Sequence, residues 1–260
     1  MYSIGVQIAS LKMPFKQALP RIAEMGAAAV EIDARGELKP SQLSQTGMRQ
    51  LRKMLEDHNL KVSAVRFRTR RGYDQEADLQ RRIDATKEAL RFAYQLGCHV
   101  VVNQVGPIDP EAKESPGWNR LCDSLIDIGQ FSQRAGAWLA METGTESGED
   151  MAALIDALPE GHVLVDLNPG NLIINGFSAT EATQVLSRHI AHIHANDAVR
   201  DLARGRGLEV QLGRGSVDYP AILGIVEELN YHGYLTVTRE GAADPVGEVA
   251  LAVEYLKNIG

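Results

Sequence analysis

Four apolar runs in the second half of the chain finish on residues suited to acid–base or metal chemistry. AWLAMETG ends on Glu142, and VLVDLNPGN carries Asp166 and Asn168 two residues apart. HIAHIHAND carries His192 and His194, also two apart, and YLTVTREG ends on Glu240 with Thr236 and Thr238 before it. Side chains two apart on a strand point to one face. Carboxylates and imidazoles buried there without partners would each cost several kcal/mol, and a divalent cation held by carboxylate oxygen and imidazole nitrogen compensates them. Two glutamates beside such a cation offer proton transfer at a carbon next to a carbonyl. A lone glutamate at a strand end is commonly a salt-bridge partner and a lone strand histidine a hydrogen-bonded core residue. It is the recurrence over four successive runs that points to a site.

The elements that must position these residues follow a repeated order of helix, glycine, strand. It recurs as AEMG-AAAVEID (23–33), YQLG-CHVVVNQV (94–105), QRAG-AWLAMET (133–143) and, more weakly, EELNYHG-YLTVTRE (227–240). Glycine or Asn230 tolerates the left-handed conformation that closes a helix. Strands are expected at 3–8, 28–33, 61–66, 98–104, 137–142, 162–167, 190–195 and 234–240. Helices are expected at 16–25, 41–58, 75–96, 118–135, 149–158, 179–188, 217–230 and 245–258. Ser41, Ser178 and Asp244 suit N-terminal caps, and Pro20 suits a helix start better than an interior. Runs apolar on both faces, such as VVV and HVLV, indicate a parallel sheet covered by helices. Eight such units in 260 residues predict an α/β fold, a single (β/α)8 TIM barrel spanning 1–260. An open doubly wound sheet is the alternative, weakened by the lack of GxGxxG after the first strand. In a barrel of this kind the chemistry lies where strands end, which is where the residues above fall.

A net charge of −7 argues against nucleic acid as a partner. Two cysteines, Cys98 and Cys122, without zinc-finger spacing suit a reducing compartment. With no leader-like start and no long uncharged apolar run, the expectation is a cytoplasmic protein that does not enter a membrane.

LAMETGTE (139–146), VLVDLNPGNLI (163–173), IHANDA (193–198), VQLGRGSVDY (210–219) and LTVTREG (235–241) together resemble the xylose isomerase-like superfamily of sugar phosphate isomerases and epimerases. The resemblance runs in order over essentially the whole chain. It implies one divalent metal, most often Mn2+ (with Mg2+, Co2+ and Zn2+ as alternatives), held by Glu142, the residue at 168, His194 and Glu240, and it implies a homo-oligomer. The sequence departs at two points. Asn168 stands where the superfamily has Asp, with Asp166 on the same face about 6–7 Å deeper as a substitute, and Asn196 stands where Lys is common. A neutral Asn168 weakens the site or abolishes it, so the expected cofactor is such a metal or none.

The implied activity is isomerisation or epimerisation of a small sugar, sugar acid or sugar phosphate, with Glu142 and Glu240 as the catalytic acid–base pair on either side of the reacting carbon. The alternatives are a dehydratase or lyase of a keto-polyol and a non-catalytic sugar-binding barrel. A DNA-repair barrel with three zinc ions needs more histidines at the rim than this chain has. Arg66, Arg68, Asn103, His192 and Arg206 are the candidate substrate-binding residues. Arg70, Arg71, Arg204 and Arg214 are further cations on the same loops, able to clamp a carboxylate or phosphate. Arg81 and Arg82 are expected on an exposed mid-helix surface. Gln7 and Glu31 are candidates for hydrogen bonds to sugar hydroxyls, and Trp118 for stacking at the rim.

Overall fold

The computed structural model describes residues 2–36, 38–201 and 205–260. Its strands are β1 (Ser3–Gln7), β2 (Ala29–Asp33), β3 (Lys61–Arg66), β4 (Val100–Asn103), β5 (Trp138–Glu142), β6 (Leu164–Leu167), β7 (Ile190–Ala195), β8 (Asp197–Val199), β9 (Leu208–Val210) and β10 (Tyr234–Val237). Its helices are α1 (Phe15–Glu24), α2 (Gln45–Asp57), α3 (Leu79–Gln95), α4 (Pro116–Ala135), α5 (Gly148–Asp156), α6 (Pro169–Ile174), α7 (Ala179–Leu186), α8 (Tyr219–Glu228) and α9 (Pro245–Ile259). Seven strands and β10 close a parallel barrel in the order β1-β10-β7-β6-β5-β4-β3-β2, the (β/α)8 arrangement expected from the repeat. The remaining two, β8 and β9, pair antiparallel as a hairpin beyond the end of β7.

The alternation follows from where each apolar face goes. Core residues such as Ile22, Leu51, Leu90, Leu125 and Val253 come from the inner stripes of the helices and are almost fully buried against the strands. Gly136 closes α4 in the left-handed conformation at φ 75°, its N–H bonded to Ser132, and the chain enters β5 two residues later. Ser178 and Asp244 cap α7 and α9 as expected, through Glu181 N (3.2 Å) and Gly247 N (3.1 Å). Two local expectations are corrected. Pro20 lies inside α1 rather than at its start, tolerated because the inner face carrying Phe15, Ala18, Leu19 and Ile22 is buried. Ser41 falls in a short 3-10 turn, and Ser44 caps α2 instead through Gly47 N at 3.1 Å. The short α6 was not foreseen. Asn168 accepts from Asn171 N at 3.0 Å and Pro169 occupies the first helical position, so the NPGN run nucleates a turn directly off β6.

The barrel register has two one-residue steps, and both lie beside polar residues. Val30 pairs with Val62 but Glu31 with Ala64, so Ser63 is skipped. Val165 pairs with Ile190 but Asp166 with His192, so Ala191 is skipped. Such bulges re-aim side chains, and here they set the level at which Glu31 and Asp166 enter the barrel.

Candidate active site

A buried ionic cluster forms the floor of the site at the C-terminal end of the barrel. Asp166 sits between the two histidines of β7: His192 Nδ1–H donates to Asp166 Oδ1 at 2.7 Å, and His194 Nδ1 lies 2.7 Å from Asp166 Oδ2. The other nitrogen of His194 donates to Glu31 Oε2 at 2.6 Å, and Gln7 Nε2 donates to Glu31 Oε1 at 2.7 Å. His192 Nε2 meets the Thr236 hydroxyl at 2.7 Å, which is 3.0 Å from that of Ser63. All these side chains are essentially inaccessible to solvent. Burial alone would raise the Glu31 carboxyl, but the adjacent His194 imidazole overrides it and holds the group down at about 2. Burial would likewise raise Asp166 and lower His194; their mutual attraction reverses both, with His192 helping to hold Asp166 down and Glu31 helping to hold His194 up.

Above this floor lies a polar cavity of about 290 Å³, lined among others by Arg66, Arg68, Glu142, Asn171, His194 and Glu240. The Glu142 side chain is only 2% exposed and is surrounded by donors. Arg68 Nη2 donates to both its oxygens (3.1 and 3.2 Å), and Asn168 Nδ2 (2.9 Å) and Asn171 Nδ2 (3.3 Å) donate to Oε1. Glu240, 65% exposed, receives Arg66 Nη2 at 3.1 Å. Its backbone is fixed by Glu209 of the β8–β9 hairpin, which accepts from Glu240 N at 3.0 Å, Gly241 N at 2.9 Å and Arg239 Nη1 at 2.8 Å. Sequence reasoning did not single out Glu209 or Asn171, because neither ends a barrel strand.

The donors offer a hard divalent cation two overlapping places, one at the cavity floor and one formed by Glu31, His192 and His194. Single ligand atoms of Glu142, Asp166 and His194 all lie within 4.8 Å of one another. Two atoms of this group, Asp166 Oδ2 and His194 Nδ1, are buried and paired with each other at 2.7 Å. Two carboxylates and an imidazole are ordinary ligands for Mn2+ or Mg2+. The opposite nitrogen of His194, donating to Glu31, supplies the outer-shell bond that orients a metal-bound histidine.

The same residues can be set against known proteins. Residues 19–259 match the profile described as xylose isomerase-like TIM barrel. The chain belongs to that family. The inosose dehydratase of Clostridium botulinum (strain Alaska E43 / Type E3) is 24% identical over 278 aligned positions, covering 94% of this chain and 89% of that protein. A xylose isomerase domain protein from Planctomyces limnophilus superposes with a TM-score of 0.87 at 23% identity, covering 99% of this chain and 97% of that one. A family member from Mycobacterium smegmatis, solved in complex with magnesium, superposes with a TM-score of 0.79 at 17% identity, covering 100% and 96%.

Within the family fold, the residues singled out from sequence divide into three groups. Glu142, Asn168, His194, Arg66, Arg68 and Glu240 line one cavity. Asp166 and His192 lie beneath it. Asn168 faces Glu142 with its amide N–H, while its oxygen is engaged by Asn171 N and by Asn196 Nδ2 at 2.8 Å. Asp166 joins Glu142 and His194 in the compact group, whereas Glu240, expected as a further ligand, stands outside it, exposed and paired with Arg66. Asn103 stands elsewhere: fully buried, it accepts from Thr69 N (3.1 Å) and donates to Tyr73 (2.9 Å), which ties down the loop after β3. Arg206 lines a separate surface hollow with Arg200 and Leu208. Trp118 is 8% exposed and packs in the core instead of opening onto the rim. Arg204 lies outside the described residues. Among the described residues, no helix is long and apolar enough to cross a membrane.

Proposed function

We propose that this chain is a metal-dependent enzyme that moves a proton next to the carbonyl of a small polyhydroxylated substrate, a sugar, sugar acid or sugar phosphate, to isomerise or epimerise it. The observation that carries the reading is the convergence of Glu142, Asp166 and His194 on one point at the floor of the polar cavity. When bound, a divalent cation there would supply Lewis-acid stabilisation of negative charge developing on the carbonyl oxygen. Glu142, Asp166 and His194 would hold it, with Glu240 reaching in from the same cavity; Mn2+ is our first choice and Mg2+ the second.

The chain's own residues do the rest. The two carboxylates of the cavity rim, Glu142 and Glu240, are the acid–base pair, one accepting a proton from carbon and the other returning it. Arg68 pairs with Glu142 and Arg66 with Glu240 before substrate enters. Those guanidiniums then turn to substrate oxygens, where a fork of N–H donors suits a carboxylate or phosphate. Asn168 and Asn171 keep donors on Glu142 throughout and fix its orientation.

A second reading, dehydration of a cyclic or linear keto-polyol, is supported by the similarity to inosose dehydratases along nearly the whole chain. It shares the proton-abstraction step and differs in losing a β-hydroxyl afterwards. One experiment separates the two. Purified protein with Mn2+ is incubated in heavy water with a panel of ketoses, aldoses, sugar acids and inososes. Deuterium in recovered sugar or its epimer supports isomerase or epimerase action; ultraviolet absorbance of a conjugated enone supports dehydration. No exchange in any substrate, together with no tight Mn2+ binding, leaves a carbohydrate-binding barrel and overturns the enzymatic reading.

A further inference from the structure

A second concave surface lies on the outer side of the loop that follows β3, with a volume of about 490 Å³. Residues alternate along this segment. Arg66 and Arg68 face the catalytic cavity, while Phe67 and Thr69 line the outer pocket, and the two cavities have no lining residue in common. Five arginines, Arg35, Arg70, Arg71, Arg81 and Arg82, surround the outer pocket against one carboxylate, Asp78, a formal excess of four positive charges. In a chain of net charge −7 this local balance is opposite to the whole. Among the described residues, none of the five takes part in an ion pair.

The helix that opens onto the pocket breaks the usual rules in the same direction. The first turn of α3 contains no acidic residue, and its sequence, LQRR, places two arginines at the positive end of the helix dipole. Its N-cap, Asp78, adopts φ 56° and makes no side-chain cap hydrogen bond; the Leu79 N–H is taken by the Glu76 carbonyl at 3.0 Å, and the N–H groups after it lack the partner that a capping side chain normally gives. Arg82 turns its terminal nitrogens back to the carbonyls of Ala77 and Gln75, and its Nε is buried without a partner. Repulsive charge and an uncapped helix start are both relieved by the same thing, a bound anion. Local rules broken together at one place mark a functional site.

We propose that this pocket binds a phosphorylated small molecule carrying more than one negative charge, at a site separate from the catalytic cavity. Arg70, Arg71 and Arg81, all exposed, grip the phosphate oxygens, and the start of α3 completes the cradle. Arg35 couples the two sites. It donates to the carbonyl of Arg68, whose side chain holds Glu142. The inference does not depend on the reaction performed next door.

The test uses the whole protein at low ionic strength, titrated separately with pyrophosphate, inorganic phosphate and sulfate, with binding read by calorimetry and by thermal shift. Pyrophosphate binding tighter than phosphate is expected, weakened about tenfold or more in Arg71→Ala and in Arg81→Ala, and unchanged in Arg49→Ala, an exposed arginine on α2 away from the pocket. Ligand-free Arg81→Ala is also expected to melt no lower than the parent, since it removes a cation from the positive end of α3. That result distinguishes lost binding from lost folding. Better binding of free phosphate than of pyrophosphate would identify a single-phosphate site. No binding at millimolar pyrophosphate, or equal binding by all three variants, overturns the proposal.

Discussion

Replacing Glu31 by Gln tests the electrostatic design of the floor. Glu31 receives two donors, Gln7 Nε2 and His194 Nε2, one on each oxygen. Glutamine offers a single acceptor, so its own NH2 must meet one of these donors head-on or force Gln7 to turn over and disturb its bond to Ser10 (3.0 Å). The lost charge matters more. Holding the carboxyl at about 2 instead of its ordinary 4.5 corresponds to roughly 3 kcal/mol of native-state stabilisation. Because the folded value lies below the unfolded one, this stabilisation is present in full above about pH 4.5 and is lost as the pH falls toward 2. Urea unfolding with chelator present should therefore show Glu31→Gln less stable by about 3 kcal/mol at pH 6, with the gap shrinking to less than half by pH 3. In the same variant, Mn2+ affinity should fall about 10–100-fold, the usual effect of removing the partner of a metal-bound histidine. A gap below about 1 kcal/mol at pH 6, or one that does not change between pH 6 and pH 3, would refute the reasoning.

Four further outcomes follow from the same geometry. Arg68→Met leaves the nearly inaccessible Glu142 carboxylate without its counter-charge; unfolding should show a loss of about 3 kcal/mol with chelator, most of it recovered with Mn2+. Asn168→Asp places an oxygen where an N–H now lies 2.9 Å from Glu142 Oε1, so isothermal titration should show at least about tenfold tighter Mn2+ binding, with the metal-free protein less stable. Glu142→Gln should abolish solvent deuterium exchange into any substrate that the parent labels, while circular dichroism stays native. Gly170→Ala brings a methyl group to 2.7 Å from Asn196 Oδ1 and should destabilise by about 1–3 kcal/mol, seen as a lowered denaturation midpoint.

The architecture was legible in the chain because helix and strand periodicities are local, and eight of each in this length leave few ways to bury every apolar face. The strand-end rule then located Glu142, His194 and Glu240 on one rim, and the structure lines one cavity with all three. Spacing along a strand gives the face of a residue but not its depth relative to neighbouring strands. That depth is set by register, and the one-residue steps at Ser63 and Ala191 involve pairs more than twenty residues apart. For this reason Asp166 came within reach of Glu142 and His194, and Asn168, tied to the start of α6, turned a donor toward Glu142. Glu31 likewise became the partner of His194, although the two are separated by 163 positions. Arg81 is exposed and Arg82 half-buried, but both lie in the first turn of α3 rather than mid-helix and line a pocket with Arg70 and Arg71, because the loop after β3 folds back against the start of α3. The order of elements and the side-chain types available at the rim were properties of the sequence alone. Which of those groups meet was decided by the closure of the barrel, since charges interact across space and not along the chain.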